Sequence, residues 1–319
     1  MKKIISFLVV FILLLSCLTG IGLAEEKKIS VVTTIFAIYD WVREIAGEDL
    51  DGIDLTMLLD SGVDLHSYQP TAPDMLKVAA TDLFIYVGGE SDAWAENVLR
   101  AAANPDMRVI SLVEALGDDV KIEEEVEGME PEAEEDEEEE EIDEHVWLSL
   151  RNAEKLTRVI TDTLSEIDPE HAAAYQANAS AYIAQLSALD AEYTRATDTA
   201  EYKTLLFGDR FPFRYLMDDY GLNYYAAFSG CSAETEASFQ TVVFLADKVD
   251  ELGLPAVMTI EGTNHKIAET VVNATKSQDA RVLTLDSLQS TTREAVEQGA
   301  TYLGIMESNL KVLEEALNR

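Results

Sequence analysis

The chain is short of cysteine, of basic residues and of histidine, and each shortage excludes something. Of the two cysteines, Cys17 falls in an apolar N-terminal run and Cys231 stands alone in the body of the chain. No internal disulfide is available, so a hydrophobic core must hold the fold. Lys and Arg total 23 against 61 Asp and Glu, a formal net charge of −38. Binding to a phosphate backbone depends on clustered Lys and Arg, so nucleic acid is excluded as a partner and cations are favoured. Histidine occurs four times, as His66, His145, His171 and His265, which makes each one a discrete candidate for chemistry. There is no H-E-x-x-H helix and no general base beside His66 or His145, which argues against a metallohydrolase and against an enzyme of any kind.

Long apolar runs are lacking too, except at the start. Ile4 to Leu15 follows Met1-Lys2-Lys3 and is too short for a permanent membrane span, so it reads as an export signal. Two ends compete for it. Leu14-Leu15-Ser16-Cys17 resembles a lipobox and would leave a lipidated Cys17 as the only membrane anchor; Gly22-Leu23-Ala24 suits ordinary cleavage, giving a signal peptide of residues 1–24. Either outcome places the mature chain outside the cytoplasmic membrane, in the periplasm or on the outer face.

What is present is an alternation of apolar runs and helix-like segments. Strands are expected at 29–34, 54–59, 83–87 and 108–112, with helices at 37–46, 73–80 and 93–102 between them. This order predicts a parallel sheet covered on both faces, an N-terminal α/β lobe over 25–167. Within it, 123–142 is almost wholly acidic, repels itself and has little to bury, so it is expected to be a disordered insert, either solubilising or a weak collector of cations. A helix over about 152–167 follows. Residues 168–200 then carry Ala172, Tyr175, Ala179, Tyr182, Ile183, Leu186 and Leu189 at helical spacing, with no Gly and no Pro after Pro169. Such a helix is about 40 Å long and should join two lobes. The grammar then repeats over 201–319, with strands at 204–207, 222–227, 256–260 and 281–285 and helices at 213–220, 239–252, 266–277 and from 293 to the end. The fold class is therefore α/β, two parallel-sheet lobes bridged by one long helix. Ligands of open α/β sheets sit beyond the carboxyl ends of the strands, so the cleft between the lobes is the expected site.

The stretch Gly62-Val63-Asp64-Leu65-His66-Ser67-Tyr68-Gln69-Pro70-Thr71 sets one histidine in a loop between a strand and a helix. It resembles the G-x-D-P-H-x-Y-x-P-S/T signature of the zinc- and manganese-binding solute-binding proteins of ABC importers. His145-Val146-Trp147-Leu148-Ser149 resembles that family's second-ligand motif, and Val31-Val32-Thr33-Thr34, Tyr39, Ala46-Gly47 and the helix from Asp168-Pro169 to Tyr193 resemble it as well. The resemblance implies a monomeric receptor that captures Zn2+, with Mn2+ as the alternative, and delivers it to a membrane permease. It implies His66 and His145 as ligands, Asp286 as the third at the end of Arg281–Leu285, and Glu261 supporting them from behind.

One position departs from the family. Where the resemblance calls for a His or Glu ligand five residues before Tyr215, the chain has Arg210, which stays protonated and has no lone pair to give. Asp209 is the neighbouring candidate, Cys231, Glu234 and Glu236 lie in the next loop, and water is a further option, with Arg210 then paired to Asp286 or Asp209. Leu65 in place of the signature's proline is a smaller departure. A chain that had lost its metal and used Arg210 for an anionic ligand, or served as an adhesin, is the competing reading. His171, in the first turn of the long helix, is expected to face solvent, and His265 has no counterpart among the family's ligands.

Overall fold

The structure, a computed structural model, describes residues 28–47, 52–130, 141–232, 236–262 and 264–319. The signal peptide expected at 1–24, with both of its candidate ends, lies outside the described residues, as do residues 131–140 of the acidic stretch and Glu234.

In the first lobe β1 (Ile29–Thr33), α1 (Phe36–Ala46), β2 (Ile53–Met57), α2 (Ala72–Ala80), β3 (Leu83–Tyr86), α3 (Trp94–Arg100), β4 (Arg108–Ser111) and the short α4 (Leu112–Leu116) follow one another. The sheet order is β2-β1-β3-β4, with every pairing parallel. The chain steps to one side of β1 to make β2 and to the other to make β3, so a crevice opens at the carboxyl ends between them. Helix α2 starts where the sequence marks it. Thr71 and Asp74 form a reciprocal capping box, and Pro73 sits in the first turn, where its missing N–H costs no hydrogen bond.

Helices α5 (Leu150–Ile167) and α6 (Ala172–Thr199) lead out of this lobe. The 28 residues of α6 span about 42 Å. Its buried side chains run from Tyr175 to Thr197, so it is anchored along its length. Asn178 Nδ2 donates to Ile45 O in the first lobe, while the Tyr193 hydroxyl donates to Met306 O in the second at 2.6 Å.

The second lobe runs β5 (Thr204–Phe211), α7 (Arg214–Tyr220), β6 (Asn223–Ser229), α8 (Phe239–Leu252), β7 (Ala256–Ile260), α9 (Lys266–Ala274), β8 (Arg281–Leu285), α10 (Arg293–Glu297) and α11 (Tyr302–Ala316). Its parallel order, β6-β5-β7-β8, repeats that of the first lobe. The single C-terminal helix expected from Arg293 onward is two helices. Gly299 adopts φ +97° and Thr301 caps a new start, its hydroxyl accepting from Gly304 N.

One hydrophobic core runs through both lobes. Trp41 and Tyr302 meet edge to face with ring centroids 5.3 Å apart, and Tyr302 donates its hydroxyl to Trp147 O. The indole N–H of Trp147 in turn donates to Ser287 O in the second lobe. All three rings are essentially fully buried. Truncating any of them to Ala would cost about 3–5 kcal/mol for a ring of the size of Phe or Trp, so this seam resists hinge opening.

The flanks of the acidic stretch are docked, contrary to the expectation of disorder from 123 onward. Ile122 bridges Ile142, Glu124 pairs with Arg214, Glu130 N donates to Ala227 O and Glu130 accepts from Ser238 N. Composition hid this because the partners of Glu124 and Glu130 lie about 90 or more residues away in the second lobe.

Candidate metal centre

Each of the two motif histidines is set by an aspartate two residues before it. After β2, Gly62 turns the chain at φ +78° with Ser290 O at 3.3 Å from where a Cβ would stand. Asp64 then caps a short 3₁₀ turn, Leu65–Ser67, its carboxylate accepting from His66 N at 3.0 Å. Leu65, only 1% exposed, plugs the turn into the core, which is what the departure from proline achieves here. On the other side Asp143 accepts from both the backbone N (2.8 Å) and the Nδ1 (2.9 Å) of His145. The 3₁₀ turn Val146–Leu148 that follows is buried throughout.

The two imidazoles, 79 residues apart in sequence, face each other. His66 Nε2 and His145 Nε2 are 3.1 Å apart. Two nitrogens bound to one tetrahedral Zn2+ at about 2.05 Å each are separated by about 3.3 Å, so this spacing is that of a tetrahedral edge. The outer nitrogens are held by Ser91 Oγ on His66, at 2.8 Å, and by Asp143 on His145. A carboxylate or hydroxyl on the far ring nitrogen orients a histidine ligand and fixes which nitrogen faces the ion.

Protonation follows from this pairing. His66 is pushed down to about 3, by burial first and by the charge of His145 second. His145 goes the other way: burial alone would lower it, but Asp143, with Glu123 and Glu144 beside it, raises it. Only one proton fits between the two Nε2 atoms, which face each other at 3.1 Å. A divalent cation entering between the rings takes the place of that proton.

Cys231 brings a third potential donor to the two imidazoles. Its Sγ and one nitrogen of each imidazole lie within 4.8 Å of one another, the only such group of three or more His, Cys, Asp or Glu among the described residues. It follows β6 directly, and Gly230 lets the strand end pass close to the ring. A Cβ on Gly230 would stand 2.8 Å from His145 Cε1 and 3.0 Å from Phe211 O. Cys231 N donates to Glu123 Oε1 at 3.2 Å. Burial and the nearby carboxylates, Glu123 first among them, push the Cys231 thiol well above its usual range.

His66 and Cys231 share a pocket of about 260 Å³ with Glu90, Ser91, Glu141, Ile142 and Glu144. Glu144 is 2% exposed; its Oε1 accepts from Ser91 N, but its Oε2 accepts no hydrogen bond among the described residues and lies 3.8 Å from His66 Nδ1. Burial raises the affinity of Glu144 for a proton despite the Ser91 bonds. The walls of the pocket are thus imidazole, thiol and carboxylate, a donor set suited to a borderline-soft dication.

The other expected residues are placed as follows. Asp286 is not in the three-donor group. Its Oδ1 accepts from Leu288 N, and burial together with Glu261 pushes its carboxyl up to about 6. Glu261 accepts from Ser287 N and Ser287 Oγ, both at 2.7 Å, and from Ser290 N, which ties it to the loop that follows Asp286. Asp209 is turned to backbone, accepting from Arg210 N and Ile260 N.

Arg210 is paired with neither Asp286 nor Asp209. Its Nη2 donates to Asp64 Oδ2 at 2.7 Å, an ion pair across the cleft from the second lobe to the first. Burial is the largest influence on Asp64 and opposes its ionisation, but Arg210 and His66 together hold the carboxyl below its usual range. Sequence reasoning missed this partner, which lies 146 residues away. His171 is bonded to Asp168 Oδ2 at 2.7 Å, and His265 caps α9 with its Nδ1 buried and unpartnered among the described residues.

Two parallel-sheet lobes are thus fused along one helix, with a cluster of potential metal donors in the crease between them. The chain belongs to the family described as zinc-uptake complex component A, periplasmic, whose model matches residues 31–316. It is 31% identical over 298 residues to the zinc-binding lipoprotein AdcA of Streptococcus pneumoniae serotype 4, an alignment of 92% of this chain with 57% of that protein. The chain thus spans little more than half of that relative's length. It is 28% identical to the high-affinity zinc uptake system protein ZnuA of Bacillus subtilis, covering 93% of this chain and 90% of that one. Among solved structures, the Zn(II)-bound ZnuA-like domain of Streptococcus pneumoniae AdcA superposes with a TM-score of 0.71 at 28% identity, over 92% of this chain and all of that one. The laminin binding protein of Streptococcus agalactiae, described as having adhesin and metal transporting activity, superposes at 0.72 with 26% identity, over 91% of this chain and all of that one.

Proposed function

We propose that this chain is the extracytoplasmic receptor of an ABC importer, and that its cargo is zinc, captured in the cleft between His66 and His145 and handed to a membrane permease. The observation that carries this reading is the 3.1 Å separation of the two Nε2 atoms, each ring held from behind by Asp143 or Ser91. A pair of imidazoles set at a tetrahedral edge suits zinc better than manganese, which prefers an octahedral shell of oxygens. Membership of a zinc-uptake family agrees with it.

Capture needs no reaction step. The acidic mouth, with Glu90 and Glu141 beside the pocket, raises the local concentration of dications. The entering ion displaces the proton between the imidazoles, and the closed seam of Trp41, Tyr302 and Trp147 keeps the lobes from swinging apart while it is held. An anionic cargo at Arg210 is disfavoured because its guanidinium is already bonded to Asp64. The test is a competitive zinc and manganese titration of the mature chain with residues 131–140 replaced by a neutral Gly-Ser segment, so that the acidic run cannot mask the cleft. The expected result is one equivalent of tightly bound zinc that is lost in His66→Ala. Tight zinc binding that disappears with the acidic segment, or that His66→Ala leaves intact, overturns the reading.

A further inference from the structure

We infer that the second lobe's ligand to the cargo is the thiolate of Cys231, and that this sulfur donor takes the place of the side chain that Arg210 cannot supply. The inference rests on the cleft reading above and adds the donor that would set selectivity. Three observations carry it. Cys231 is the one residue of the second lobe among the described residues whose donor atom lies within 4.8 Å of both imidazoles. The backbone is shaped to bring it there, since only a residue without a Cβ at 230 passes His145 at this distance. Glu144, buried and lining the same pocket, presents an oxygen with no hydrogen-bond partner among the described residues, as expected where an ion or its bound water is to be accommodated.

Arg210 explains the change of donor. With its charge spent on Asp64, it fills the cleft beside the His66 turn and leaves the second lobe's contribution to come from the end of β6 rather than from β5. On binding, the S–H bond gives its proton to solvent and the sulfur pair forms the metal bond, with no change of oxidation state. Two imidazoles and one thiolate favour zinc and the softer ions over manganese, whose preferred ligands are oxygens.

Cobalt(II) is the probe that separates this inference from the cleft reading, because a thiolate ligand gives it a strong near-ultraviolet charge-transfer absorption that imidazole and carboxylate do not. Wild type, Cys231→Ser, Asp286→Asn and His66→Ala are titrated with Co2+ and then back-titrated with Zn2+. The expected result is the thiolate band in wild type and Asp286→Asn, and its loss in Cys231→Ser. Zinc affinity in Cys231→Ser should fall by about 100-fold or more, since even the groups behind the ligands are each worth about 10–100-fold. Cys231→Ser is nearly isosteric, and an unchanged unfolding midpoint confirms that it folds. A one-to-one Co2+ complex without the thiolate band, or zinc affinity kept in Cys231→Ser and lost in Asp286→Asn, overturns the inference while leaving the cleft reading intact. Loss of binding from none of the three variants would instead sink the cleft reading.

Discussion

Breaking the Arg210–Asp64 bond tests whether Arg210 is a clamp across the cleft. The two side chains are 22% and 18% exposed, and the N···O distance is 2.7 Å. Exposed pairs are worth about 0.2–1 kcal/mol, whereas losing one partner of a buried pair costs about 3–5 kcal/mol. At this intermediate burial a coupling of about 2 kcal/mol is expected, in line with hydrogen bonds to charged groups. The assay is a double-mutant cycle by urea unfolding with Arg210→Met, Asp64→Asn and the pair. Asp64→Asn retains an oxygen that can accept from His66 N, so the cap of the 3₁₀ turn survives while the charge is removed. Arg210→Met should destabilise by about 2 kcal/mol in wild type and by little once Asp64 is Asn. A coupling below about 0.5 kcal/mol would refute the clamp and reopen Arg210 as a free cation in the cleft.

Three further outcomes follow from the same geometry. Asp40 lies beneath the seam, accepting from Tyr302 N at 2.7 Å, and burial pushes its carboxyl from 3.8 up to about 6. Folding therefore takes up a proton: the contribution is fully present below pH about 3.8 and is lost as pH rises through 6, by about 3 kcal/mol in all. Urea unfolding across this window should show wild type losing that much relative to Asp40→Asn, and a constant difference would contradict it. Gly230→Ala should cost about 1–3 kcal/mol and weaken zinc binding together, because its methyl would meet His145 Cε1 at 2.8 Å; unaltered zinc affinity would show that the β6 end can retreat. Replacing 131–140 by Gly-Ser should leave stability within about 0.5 kcal/mol, whereas deleting 123–142 also removes the contacts of Glu124 and Glu130 and should destabilise clearly. Equal effects of the two changes would show those contacts to be idle.

Much of the fold was legible because its signals are local. The β-branched run at Ile29–Thr33, the capping box at Thr71–Asp74 and the uninterrupted apolar spacing of the long helix each specify their own element. The break at Gly299 was hidden by helical periodicity on both of its sides, and α4 is too short for periodicity to register. The site was legible only in part. His66 and His145 stood out through rarity and through motifs that resemble a family, but nothing local could show that their Nε2 atoms meet. Asp286 was expected to join them. It sits where expected, at the end of β8 beside Glu261, but outside the group of donors within 4.8 Å of one another, while Cys231, which is inside that group, was one of several weighed in a loop without a distinguishing pattern. The Asp64 partner of Arg210 and the docked flanks of the acidic stretch depend on pairings between lobes, which a linear charge pattern does not encode.

The most direct measurement is anomalous diffraction at the zinc edge from crystals of the mature chain grown with one equivalent of zinc. A single strong peak about 2.0–2.1 Å from both His66 Nε2 and His145 Nε2 is the predicted result. Peaks confined to the acidic stretch or to surface carboxylates, with the imidazoles still bonded to each other, would contradict the account.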